Sequence, residues 1–207
     1  MDDKSYALLS SGLETLGLTL VPEKIKVLLA FVALIEKWNN AYNLTSVRDK
    51  QQMLTRHILD SLTLLPYLQG PKVIDIGTGA GLPGIPLAII AEQCDFVLLD
   101  SNAKKTRFVQ QAIIELKLHN VQVRHDRAEN FHASVGFNSV ISRAFASIPE
   151  MRHKTAHLLH EKGVMLAMKG QNPAAELAEA PASLLEVIPL HVPGVDAERC
   201  LVRIRRQ

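Results

Sequence analysis

Val73 to Ile90 reads VIDIGTGAGLPGIPLAII, an apolar run that crosses four glycines and two prolines before turning apolar again. Side-chain-free backbone between two buried elements marks a sharp connection at which something must approach the main chain closely. The five residues KVIDI before it read as a strand, and a helix is expected to resume over 84–90. This is the pattern of a first strand-to-helix turn in a parallel α/β sheet, whose ligand crevice lies outside the carboxyl ends of the strands.

Downstream the same rhythm continues. Runs rich in β-formers fall at 96–99, 121–125, 139–142 and 164–168, with helical stretches such as AKKTRFVQQAIIELKL between them. That alternation predicts a mostly parallel sheet covered by helices on both faces. A helix is then expected over 174–180, followed by two β-rich runs, 184–192 and 200–205, which read as a closing antiparallel hairpin on the sheet edge. Upstream, the first 65 or so residues read as helical. Ile25, Leu28, Leu29, Val32, Ile35 and Trp38 form one stripe, expected to be core, and a second helix is predicted through QQMLTRHILDSLTLLPYL, ending near Pro66. His57 on that helix reads as structural rather than as a base. The expected organisation is a helical N-terminal extension, 1–70, with PYLQGP as the joint, and an α/β domain, 71–207.

Composition narrows the class. Of 207 residues, 47% are hydrophobic and 21% charged, the usage of a chain that buries an ordinary core. The apolar runs are broken too early for a transmembrane helix, and MDDKSYALLSSG lacks the basic-then-apolar pattern of a signal peptide, so a cytoplasmic protein is expected. Cys94 and Cys200 form no CxxC, and neither a metal site nor a disulfide framework is predicted. The net charge of +2 is too small to announce a nucleic-acid partner, and only Arg203, Arg205 and Arg206 cluster.

The glycine spacing selects the ligand. A dinucleotide fingerprint is GxGxxG, whereas Gly77, Gly79 and Gly81 run as GxGxG with Leu82 next. Asp75 precedes them, an unwelcome charge beside a pyrophosphate. Asp100 closes the second strand, 23 residues after Gly77, where a carboxylate can accept both ribose hydroxyls, although an aspartate there also suits a helix cap. The set suits an adenosine bearing a positive centre, which is what S-adenosylmethionine is.

Several collinear stretches go further. NAYNLTSVRD, RHILDSL, DIGTGAGLPGIPLAI, VISRAFAS and MKGQ, spread from about residue 40 to 171, resemble the bacterial methyltransferase G family, also called glucose-inhibited division protein B. The resemblance implies a class I S-adenosylmethionine-dependent methyltransferase fold, Rossmann-like with a seven-stranded sheet. It also implies methylation of N7 of a guanosine in the 530 loop of 16S rRNA, with 16S rRNA or the 30S subunit as partner and a monomeric chain. Carried over by position, it puts cofactor contacts at Gly77, Leu82, Ala128, Glu129 and Arg143, with Gly79 in the same loop and Asp100 on the ribose by analogy with the wider class. Members usually have Pro or similar where this chain has Ala80. The lesser alternative for Arg143 is a structural ion pair with a nearby carboxylate.

Guanine N7 carries a lone pair and no proton, so an active site short of acid–base groups is expected. Neither an NPPY-like tetrapeptide nor a Pro-Cys nucleophile is present, and SRAFAS stands where the fourth strand ends. Arg143 is expected to orient cofactor or base, and Lys169 a phosphate or the base edge. Lys104, Lys105, Arg107, Arg124, Arg127, Arg152, Lys154 and the terminal arginines are possible phosphate contacts. With so little net charge, naked RNA is expected to be a poor substrate compared with a ribosomal particle.

Overall fold

The computed structural model describes residues 3–170, 174–177 and 185–206. Seven strands form one sheet: β1 (Lys72–Ile76), β2 (Asp95–Asp100), β3 (Val121–His125), β4 (Phe137–Arg143), β5 (Leu159–Lys169), β6 (Leu185–Pro189) and β7 (Cys200–Arg205). Their order is β3-β2-β1-β4-β5-β7-β6. The first five are mutually parallel, and β7 runs antiparallel to both β5 and β6. The sheet, its direction and its terminal hairpin are those the sequence predicts. Strands extend a little further than their β-rich cores: β5 starts at Leu159, before Val164. The hairpin's expected first residue, Leu184, lies outside the described residues, as do 178–180 of the helix expected over 174–180. The described part of that helix is α8 (Ala174–Leu177).

Alternation along the strands feeds two cores. Val73, Phe96, Leu98, Ile141 and Leu166 face one side. Their neighbours Ile74, Leu99, Val140, Met165 and Ala167 face the other. The first side is covered by α1 (Asp3–Thr15), α2 (Pro22–Tyr42), α5 (Gly84–Ile90) and α6 (Ala103–Glu115); the second receives α7 (Ile148–Thr155) through Ile148 and Met151. Hydrophobic contact is continuous from Leu9 of α1 to Leu201 of β7, so the N-terminal helices and the sheet share one core. Phe31 of α2 stacks on Phe108 of α6 with ring centroids 6.5 Å apart, and Trp38, half-buried, closes the stripe against Tyr42 and Phe108. α2 opens with Pro22 in its first turn, where a missing N–H costs nothing, and stops where Asn43 adopts a left-handed φ of 48°.

The second predicted helix is a composite. α3 (Lys50–Met53), N-capped by the Asp49 side chain, passes into a π-helical segment, Leu54–Leu59, and then α4 (Asp60–Leu62). A 3-10 turn follows at Leu65–Tyr67. The periodicity of apolar residues does not distinguish this widened turn from an α-helix. This stretch carries Arg56 and Asp60, whose carbonyl and carboxylate meet Arg143 at the end of β4. Among the described residues no helix is long and apolar enough to cross a membrane.

Candidate active site

The strand order reverses at β1, which pairs with β2 on one side and β4 on the other. At the carboxyl ends of these strands opens a cleft of about 390 Å³. Four of the residues expected at a cofactor line it: Gly77, Asp100, Ala128 and Glu129. Phe145 and Lys154 close it from the β4 side.

The turn after β1 holds Gly77 at φ 67° and Gly79 at φ 59°, conformations that side-chain-bearing residues rarely adopt. At Gly77 a Cβ would come within 2.6 Å of the Phe145 ring, so the ring lies directly on this backbone. Around Gly79 the nearest atom to such a Cβ is the Gly77 carbonyl at 3.9 Å, which leaves the backbone open to a ligand. The turn is tied to β2 by the Thr78 N–H, which donates to the Leu99 carbonyl at 3.0 Å, and by the Gly79 N–H, which donates to Asp100 Oδ2 at 2.8 Å. Asp100 Oδ1 accepts from the Asn102 N–H at 2.8 Å. Asn102, not Asp100, caps α6, with its side chain accepting from Lys104 and Lys105. Asp100 is therefore held at the cleft by two backbone donors and keeps acceptor capacity beyond them.

Asp75 is fully buried beneath the turn. Its Oδ2 accepts from Thr78 Oγ1 at 2.7 Å and from the Gly84 N–H, the first of α5, at 2.9 Å, while Oδ1 has no partner among the described residues. Burial pushes its carboxyl up to about 6, against the lowering pull of the Thr78 and Gly84 hydrogen bonds. A dinucleotide fold seats a pyrophosphate at the N-terminus of this helix. Here the chain's own carboxylate occupies it. At Gly84 a Cβ would sit 2.2 Å from Leu98 and 2.8 Å from Asp75 Oδ2, so this glycine admits the carboxylate.

The other expected residues are placed differently. Leu82 turns its side chain into the core, 4% exposed, with its N–H donating to the Thr78 carbonyl at 2.8 Å. Arg143 ends β4 and points to the N-terminal helices: Nη1 donates to Asp60 Oδ2 and to the Arg56 carbonyl, each at 3.0 Å. The second oxygen of Asp60 takes Arg199 Nε at 3.2 Å. His57 is buried and bonded to Thr45 Oγ1 at 2.9 Å. Burial and, after it, the Arg143 charge hold its imidazole down at about 4, so it is neutral, and it does not line the cleft. Lys169 donates to the Ala146 carbonyl at 2.8 Å and pairs with Glu176 at 3.0 Å. Glu176 also accepts from the Ile148 N–H. Of the possible phosphate contacts, Lys105, Arg127 and Lys154 reach the cleft.

Sequence reasoning did not single out Asp60, Asp126 or Phe145. Asp126 directly follows β3 and lines the cleft, a strand-end acid like Asp100, so its signal was present. Phe145 had a weaker one, an aromatic two residues past the end of β4. Asp60 had none beyond its place in RHILDSL, because its partners lie far along the chain.

Solved structures share this architecture at low identity. A methyltransferase from Geobacter sulfurreducens superposes with a TM-score of 0.60 at 13% identity, covering 86% of this chain and 90% of that one. M. jannaschii TYW2 in complex with AdoMet gives 0.55 at 17% identity, covering 72% and 74%. At such identities the likeness shows the fold. Curated relatives are far nearer. The ribosomal RNA small subunit methyltransferase G of Nitrosococcus oceani is 46% identical over 207 residues, 99% of this chain and 97% of that protein. That of an Escherichia coli strain is 48% identical over 199 residues, 95% and 96% of the two. The family model described as rRNA small subunit methyltransferase G matches residues 24–202, and with a glycine turn, a strand-end aspartate and a seven-stranded sheet all in register with that match, this chain belongs to the rRNA small subunit methyltransferase G family.

Proposed function

We propose that the cleft binds S-adenosylmethionine and that the chain methylates N7 of a guanosine in the 530 loop of 16S rRNA, working as a monomer on the small ribosomal subunit in the cytoplasm. The observation that carries the cofactor reading is the carboxylate of Asp100, braced by the Gly79 and Asn102 N–H groups beside an open glycine backbone. A ribose diol is the ligand group that such a fixed acceptor suits. The helix N-terminus that a diphosphate needs is filled by Asp75. The family membership supports the target.

The donor set fits an adenosine with a cationic sulfur. Gly77, Ala128 and Glu129 line the cleft, and Gly79 beside Gly77 offers open backbone that the ligand can lie against. Leu82 contributes through its backbone, because its side chain is in the core. Arg143, fixed by Asp60, sits at the end of the strand next to the turn, and its assignment to the ligand rests on the family's pattern.

When bound, S-adenosylmethionine supplies an electrophilic methyl group on a sulfonium. The chain's own residues then need only bind and orient, because guanine N7 has no proton to lose. Such a reaction asks nothing of His57, which is neutral and outside the cleft, or of Asp75, which is sealed beneath the turn. Orientation of two reactants is worth up to roughly 7–11 kcal/mol in well-aligned cases, enough to carry such a reaction without acid–base help. Lys105, Arg127 and Lys154 are the cations at the cleft that can meet RNA phosphates, the last two paired with Glu129 and Glu150 respectively.

Calorimetry tests the cofactor. S-adenosylhomocysteine should bind the purified chain at a single site, and nicotinamide dinucleotides should give no heat. Tight dinucleotide binding with silent S-adenosylhomocysteine would reverse the reading.

A further inference from the structure

Phe145 occupies a place in the cleft that cofactor binding does not explain. After Arg143 the chain turns through Ala144, an alanine at φ 54°, a region rarely entered by a residue with a side chain. That turn brings Phe145 back to Gly77, with the Cδ2 edge of its ring against that backbone. The Lys154 ammonium stands 6.0 Å from the ring centroid, at the outer limit of a cation–π contact. The ring is only partly buried, and among the described residues it is the one aromatic lining the cleft.

The sheet order decides what the ring faces. In the sequence β3-β2-β1-β4, Asp100 and Ala128 lie on one side of Gly77 and Phe145 on the other. A nucleoside whose ribose rests on Asp100 extends toward β2 and β3, leaving Phe145 at the opposite, reacting end. A base that undergoes chemistry must leave its stack in the RNA, and an aromatic side chain replaces the lost stacking. Guanine N7 has its lone pair in the plane of the base. A guanine laid flat on the Phe145 ring therefore presents that lone pair edge-on, and the ring's own edge meets Gly77. We propose that Phe145 is the stacking platform for the target purine, held in place by the left-handed turn at Ala144. The inference rests on the methyl-transfer reading and adds to it the subsite for the RNA base.

The test uses the full chain, S-adenosylhomocysteine as the binding probe, S-adenosylmethionine as the methyl donor and purified small subunits lacking the modification. Phe145→Leu keeps apolar volume and removes the flat face; Phe145→Tyr keeps the face. For Phe145→Leu, S-adenosylhomocysteine affinity should stay within twofold of wild type, which also reports an intact fold. Its kcat/KM on subunits should fall by about tenfold to a hundredfold, the usual yield of one aromatic–base stack. Phe145→Tyr should restore most of that loss. Equal activity of Phe145→Leu and wild type overturns the proposal, as does a loss of S-adenosylhomocysteine affinity that matches the loss of activity, because the ring then serves the cofactor. A wild-type chain that binds S-adenosylhomocysteine yet leaves subunits unmethylated fails at the earlier step, removing the target reading and this inference together.

Discussion

Asp60 and Arg143 stand 83 residues apart in sequence and meet at 3.0 Å, the carboxylate nearly sealed from water and the guanidinium closing the end of β4. Arg199 takes the other carboxylate oxygen, and the Arg56 carbonyl takes a second bond from Arg143. Three distant segments thus converge on one carboxylate. The N-terminal helices are bolted through it to the strand ends that build the cleft.

Removing Asp60 leaves two guanidinium groups facing each other without a counter-charge. Asp60→Ala should destabilise the fold by about 3–5 kcal/mol, as expected when one member of a buried ion pair is lost. Arg199→Ala should cost less, because its side chain is 24% exposed and water replaces part of what is lost. Urea denaturation measures both, and an Asp60→Ala variant within about 1 kcal/mol of wild type would show the cluster to be dispensable.

The fold was largely legible because its signals are local. KVIDI followed by four glycines, the β-rich run ending at Asp100, and the closing hairpin are each read within about two dozen residues. The stripe on α2 likewise predicts the buried face that is found. What escaped depends on distance or on backbone detail. The π-helical segment has the same apolar rhythm as an α-helix, and the Asp60 cluster joins residues 83 and 139 positions apart. From sequence Asp75 is a charge beside the ligand, whereas the strand's alternation turns it inward beneath α5. The expectation for Leu82 rests on position alone, which says nothing of which way its side chain turns.

Asp75 and His57 give opposite pH dependences. The Asp75 carboxyl rises from 3.8 to about 6 in the folded chain, so its neutral form stabilises the fold at low pH and that contribution is lost as pH rises through about 6. His57 falls from 6.5 to about 4, so its contribution is present at neutral pH and is lost as pH falls through about 4. Asp75→Asn keeps an acceptor for Thr78 and Gly84 and removes the first effect. Relative to wild type, the variant should gain about 2 kcal/mol of stability between pH 4.5 and pH 7. Thermal melts at the two pH values check this, and a constant difference between the proteins would contradict it.

Gly77→Ala and Gly17→Ala separate strain from site. Both glycines have φ near 70°, 67° and 71° respectively, and each alanine should cost about 1–2 kcal/mol of stability. Gly77 lines the cleft, whereas Gly17 lies outside it and a Cβ there meets nothing within 4 Å. Only Gly77→Ala, which disturbs the turn at the ligand, should therefore weaken S-adenosylhomocysteine binding, by more than tenfold. Equal binding by both variants would mean that the turn does not hold the ligand.

Asp100→Ala removes the fixed acceptor and the partner of the Gly79 and Asn102 N–H groups. A hydrogen bond to a charged group is worth about 1.5–3 kcal/mol, so S-adenosylhomocysteine should bind about tenfold to a hundredfold more weakly. Calorimetry reads this directly; an unchanged affinity would remove Asp100 from the site.

The most direct test of the whole account is to incubate the purified chain with radiolabelled S-adenosylmethionine and small subunits from cells lacking the protein, then map the label. One methyl group at N7 of a single guanosine in the 530 loop of 16S rRNA is the expected result, with far less label on a short synthetic loop. Label on another nucleotide, on protein, or nowhere would contradict the account.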